Sequence, residues 1–215
     1  YGTDGLTSPD ELPSQNGTLR AGFRCNVPAS VIGSSEPAHL VLYGHGLLGS
    51  DDEINASNVR KMASEHHVIF CATKWAGMSE DDVPNAIAAL QDVSKFPTVA
   101  DRLQQGVLNA IFLGRAMTAA DGLTSDPSFA GVTPDLEHLD FDGNSQGGIM
   151  GLMLTAVSPD IERSVLGVPG MNYSLLLPRS VDFDEYEAVM KPAYPNDLDR
   201  MLIIGLMQML WDRGE

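Results

Sequence analysis

Positive charge is scarce in this chain. Thirteen Lys and Arg stand against 29 Asp and Glu, a formal net charge of −16. Phosphate binding needs clustered basic residues, so a nucleic-acid partner is disfavoured. An anionic membrane surface repels such a chain, so any contact with lipid has to be apolar. Long apolar runs are also missing. The longest, residues 201–210, is interrupted by Gln208 and falls short of the ~18 residues that span a bilayer. Only two cysteines occur, Cys25 and Cys71. No Cys/His spacing fits zinc, and no Gly-rich loop has the nucleotide-binding pattern. Neither metal nor cofactor is expected.

What remains is ordinary globular material. The 215 residues are 43% hydrophobic and 20% charged, enough for one domain with a real core. Residues 1–18, rich in Gly, Ser, Pro, Asn and Asp, read as an irregular segment. Strands are expected over 19–28, 38–43, 68–73, 139–142 and 163–168. Helices are expected over 53–66, 85–94, 98–119, 147–157 and 194–213, the last capped near Asn196 or Asp197. The long helix places Leu103, Val107, Leu108, Ile111, Phe112 and Met117 on one side. Strands alternating with helices predict an α/β fold, a mainly parallel sheet with helices on both faces.

Two motifs carry chemistry. Gly143-Asn144-Ser145-Gln146-Gly147 matches G-x-S-x-G between a short strand and an apolar helix. Gly143 and Gly147 let strand and helix approach closely, and the turn lifts the Ser145 hydroxyl into a cleft. The helix N-terminus points free N–H groups at the same place. About 100 residues upstream, His45-Gly46-Leu47 follows a buried strand. A bend there turns a backbone N–H towards the nucleophile. Leu47 and Gln146 are therefore the candidate oxyanion donors. His45 and Gly46 shape the loop; His45 precedes the serine and is not expected to act as base.

The segments YGHGLLGS (43–50) and GNSQGG (143–148) resemble the oxyanion loop and nucleophile elbow of bacterial secreted lipases and esterases of the α/β-hydrolase superfamily. The resemblance runs from about Leu19 to the end of the chain. It implies an α/β-hydrolase fold, Ser145 as nucleophile, oxyanion donors at Leu47 and Gln146, and an ester or lipid-like small molecule as substrate. Many such lipases have His where this chain has Asn144.

A serine needs a base, and in this fold the order is Ser, then Asp or Glu, then His. His39, His45, His66, His67 and His138 all precede Ser145. The triad acid and histidine are thus expected outside this chain. Residues 19–215 read as the N-terminal and central part of one hydrolase domain that lacks its last strands, the remainder lying on a second polypeptide or outside this sequence. The less favoured option is His138 as an unusual base. Asp182, Asp184, Asp197 and Asp199 read as solvated loop or helix-cap acids.

Trp75 and Met78 follow a strand at the catalytic end of the sheet; pocket lining and core packing are equally open for both. The Met-rich helix, with Met201, Met207, Met209 and Trp211, reads as core, or as an acyl-binding surface if exposed. Cys25 and Cys71 sit on strands that can be neighbours. With an acidic surface and a first residue that is Tyr1 rather than Met, this points to a disulfide in a secreted or periplasmic protein whose signal peptide has been removed. The expected activity is hydrolysis of carboxylic esters through an acyl-enzyme. A peptidase, thioesterase or polyester depolymerase on the same site, and a noncatalytic binding protein on the same fold, are the alternatives.

Overall fold

The computed structural model describes residues 17–215. The irregular segment read at residues 1–18 lies outside the described residues except for its last two. Five strands form one sheet: β1 (Phe23–Asn26), β2 (Ala38–Gly44), β3 (Val68–Thr73), β4 (Pro134–Asn144) and β5 (Arg163–Gly167). Their order is β1-β3-β2-β4-β5. β1 runs antiparallel to β3; every other pair is parallel. The architecture is the expected one, α/β with a mainly parallel sheet.

Alternation along the central strands explains the two layers. Leu40, Leu42, Ile69, Cys71, Leu139 and Phe141 point to one face and join the large core. That face is covered by α3 (Pro97–Thr118) and α4 (Gln146–Val157). Val41, Phe70 and Ala72 point the other way, onto Ile54, Val59 and Ala63. This second cluster lies beneath α1 (Ser57–Glu65) and the 3-10 turn Asp51–Asn55. Strands apolar on both faces are what burial between two helical layers requires.

The remaining helices are α2 (Val83–Gln91), α5 (Tyr173–Leu176), α6 (Asp184–Met190) and α7 (Asp197–Trp211). Asn196 caps α7, its Oδ1 accepting from Leu198 N at 2.9 Å. In α3 the buried stripe is Leu103, Val107, Ala110, Gly114 and Met117. Phe112, expected on that side, is 62% exposed. Two residues past Ala110 is about 200° of helical rotation, so it faces away. The methionines of α7 divide in the same manner. Met207 is buried beside Ile204 and Trp211, whereas Met201 and Met209 are 68% and 71% exposed.

Cys25 and Cys71 are direct cross-strand partners of β1 and β3 and form a disulfide with Cα atoms 4.1 Å apart. The bond ties the antiparallel edge strand to the sheet. No helix among the described residues is long and apolar enough to cross a membrane.

For a disulfide spanning 46 residues, the loop-entropy relation gives about 4 kcal/mol. Replacing both cysteines with serine should lower the unfolding free energy by about 2–4 kcal/mol in urea titrations. A loss below about 1 kcal/mol would mean that the bond adds little beyond the ladder between β1 and β3.

Candidate active site

Ser145 occupies the turn between β4 and α4, with φ 57° and ψ −124°. Positive φ at a residue with a Cβ is unfavourable and persists only where surrounding contacts impose it. Those contacts are present. Ser145 N donates to Gly167 O of β5 at 3.0 Å, and Ser145 O accepts from Gly148 N and Ile149 N at 2.9 and 3.1 Å. A Cβ on Gly147 would land inside the van der Waals shell of the Gly44 carbonyl, and one on Gly143 would meet the Gly147 carbonyl oxygen at 2.5 Å. Gly44 and Gly143 are themselves register partners of β2 and β4. The helix therefore starts almost in backbone contact with two strand ends, and the chain between has no room except through a left-handed serine.

The loop after β2 meets this turn. Gly49 N donates to Gly46 O at 3.1 Å, which leaves Leu47 and Leu48 at the corner, with Leu48 at φ 46°. Gly46 N is held by the Glu53 carboxylate at 2.9 and 3.1 Å. Leu47 and Ser145 line one open cleft, of about 460 Å³, together with Val181, Asp182, Glu185 and Tyr186.

His45 is fully buried and both ring nitrogens are engaged. Nε2 accepts from the Trp75 amide at 2.9 Å, so the proton resides on Nδ1, which donates to Gly46 O at 2.8 Å. Burial pushes its pKa below the ordinary imidazole value, against weaker opposing effects of the Gly46 carbonyl and nearby carboxylates. His45 is a neutral clip joining two loops.

Gln146 does more than its sequence position indicated. Its buried side chain accepts from Leu48 N at 3.3 Å through Oε1 and donates to Met78 O at 2.8 Å through Nε2. It thereby ties the elbow to the loops after β2 and β3. Trp75 is only 2% exposed, its ring 6.3 Å from His45 and 6.4 Å from Phe141. It belongs to the core and lines neither cavity near the serine. Met78 lines a small apolar chamber beside the cleft.

The other four histidines lie at the far end of the sheet. His39 is the second residue of β2, and His66 and His67 precede β3. His138 stands six residues before Asn144 on β4, about 20 Å along the strand, paired with Asp135 at 2.9 Å. The strands are parallel and Ser145 is at their carboxyl ends, so none of these four reaches it. The option of His138 as base is geometrically closed.

Asp182, Glu185 and Tyr186, which wall the cleft, were not among the residues singled out as site lining. Asp182 is at the same time the exposed loop acid that the sequence predicts. They come from one- and two-turn helices after β5, too short to leave a periodic signature.

Gly147→Ala should lower stability by about 1–3 kcal/mol, seen as a reduced urea midpoint, because strand and helix would have to part. His45 supplies a pH test. The unfolded chain takes up the imidazole proton near pH 6.5, whereas the folded chain resists it. Its contribution is therefore complete above about pH 6.5 and is lost as pH falls towards the depressed folded value. His45→Gln should remove that part of the decline in urea midpoint. His138, raised by Asp135, acts in the opposite sense and serves as the control. An unchanged slope in His45→Gln would rule out the neutral-clip assignment.

No family model matches the sequence, and no curated protein matches it. Among solved structures, the chain is similar to acetyl xylan esterase 1 from Thermoanaerobacterium sp. JW/SL YS485, with 15% identity, 88% of this chain and 58% of that chain covered, and a TM-score of 0.49. The chain thus spans a little over half the length of that structure.

Proposed function

We propose that this protein is a serine hydrolase that cleaves carboxylic esters through an acyl-enzyme. The observation that carries the reading is the backbone of Ser145, held at φ 57° on a strand-to-helix turn and opening onto a cleft. Backbone strain clusters at functional sites, and here it is held at a polar residue that opens onto a cleft. Ser145 Oγ attacks the ester carbonyl carbon while a base takes its proton. The oxyanion is received by the Leu47 and Gln146 N–H groups. The tetrahedral intermediate collapses, the C–O bond to the alcohol breaks, and the proton passes to the leaving alkoxide. Water then repeats the sequence and frees the acid. The chemistry uses no cofactor.

The base and its acid partner come, in this reading, from outside residues 19–215. That segment is one part of a hydrolase domain, completed by a second polypeptide or by further chain. The argument rests on the histidines, four at the wrong end of the sheet and the fifth occupied on both nitrogens. The disulfide supports a secreted or periplasmic location. The same absence of a base near Ser145 supports a second reading, a noncatalytic binding protein on this fold.

The natural protein, treated with a serine-reactive phosphonate, separates the two. Denaturing intact mass should show one adduct, peptide mapping should place it on Ser145, and Ser145→Ala should lose p-nitrophenyl acetate hydrolysis by on the order of 10⁴–10⁶-fold. Full activity in Ser145→Ala would exclude the assignment. Absence of both adduct and turnover would favour the noncatalytic protein.

A further inference from the structure

We infer that the chamber beside the Ser145 cleft is an acyl pocket with a closed end, restricting the acyl group to about four to six carbons. The inference rests on Ser145 being the nucleophile. The chamber has a volume of about 50 Å³ and shares Leu47, Asp182 and Tyr186 with the cleft. Ser145 lines the cleft only, so a carbonyl at Ser145 has its tail entering past Leu47.

The far end is shut by residues more buried than the shared wall. Leu90, Phe96 and Trp211 are all core side chains. Phe96 meets the Trp211 ring edge-on at 4.8 Å, and Tyr173 stacks on Trp211 at 4.6 Å. Tyr173 is in turn anchored by its amide on the Glu215 carboxylate at 3.0 Å. A stacked, tethered floor does not yield to a longer chain. At roughly 10–15 Å³ for each water-sized group, the chamber accepts three to five carbons beyond the carbonyl. A longer tail would have to lie in the open cleft, against the Glu185 carboxylate, where an alkyl chain gains little. The cleft is left to the alcohol, and its two acids favour a neutral, hydroxylated or cationic leaving group over an anionic one.

Hydrolysis of p-nitrophenyl esters by the natural protein tests the limit. Within the chamber each added methylene should raise kcat/KM about fourfold, the equivalent of about 0.8 kcal/mol. Beyond six carbons kcat/KM should fall, by at least about tenfold at decanoate, as overpacking sets in. Ala86→Leu narrows the chamber from a half-buried helix position and should lower the butanoate-to-acetate ratio of kcat/KM about tenfold; Leu90→Ala should move the optimum to longer chains. A flat or rising profile to dodecanoate, abolished by Ser145→Ala, would overturn the pocket while leaving the nucleophile in place.

If no ester is turned over, or if Ser145→Ala hydrolyses normally, the nucleophile reading fails and the chamber is judged by binding. On Ser145→Ala, methyl 4-bromobutanoate should quench Trp211 fluorescence saturably, methyl 12-bromododecanoate should not, and Ala86→Leu should remove the quenching. Equal quenching by both esters, or none by either, overturns the inference. Trp75 lies off the chamber and gives a constant background.

Discussion

Three backbones come together where α4 begins: the last residue of β2, the turn of β4, and the first turn of the helix. Gly44, Gly143 and Gly147 make the contact, and a methyl group on any of the three would collide with its neighbours. Everything at the site follows from that proximity. It fixes where the helix starts, how sharply the strand must turn, and why the residue between them is forced to positive φ. It also aims the helix N-terminus, with its partial positive charge, at the space over Ser145.

A turn so tight would be fragile if the loops around it were free. They are not. Gln146 reaches from the elbow to Leu48 and Met78, Glu53 holds Gly46, and His45 spans Gly46 and Trp75. Each bond satisfies a backbone group that burial would otherwise leave without water. The arrangement makes His45 costly to protonate and unable to take a proton from serine, since its one lone pair is already used. His45 is thus structural here, and its tautomer is what says so.

Much of this was legible in the sequence. The strand at 68–73 coincides with β3, because it is apolar on both faces and bounded by a loop. The turn at Ser145 was readable because glycine spacing records a steric demand. The beginning of β4 was not: residues 134–138 are half-exposed or exposed without apolar alternation, and the register with β2 shifts between Pro134 and Leu139. The side-chain role of Gln146 depends on partners 68 and 98 residues away, and such contacts leave no local mark. Trp75 remained open between pocket and core for the same reason: the rings of His45 and Phe141 meet it only after folding. The short helices that wall the cleft are held by packing rather than by any propensity of their own.

The two edges of the sheet differ in kind. At one, β1 runs against its neighbour and is stitched to it by a covalent bond. At the other, β5 pairs only with β4 among the described residues, and its Val165 is 68% exposed. Both are edge strands, but only β1 is held covalently to the rest of the sheet. Strands stand about 4.8 Å apart, so a further strand laid along β5 would lie about 10 Å from β4.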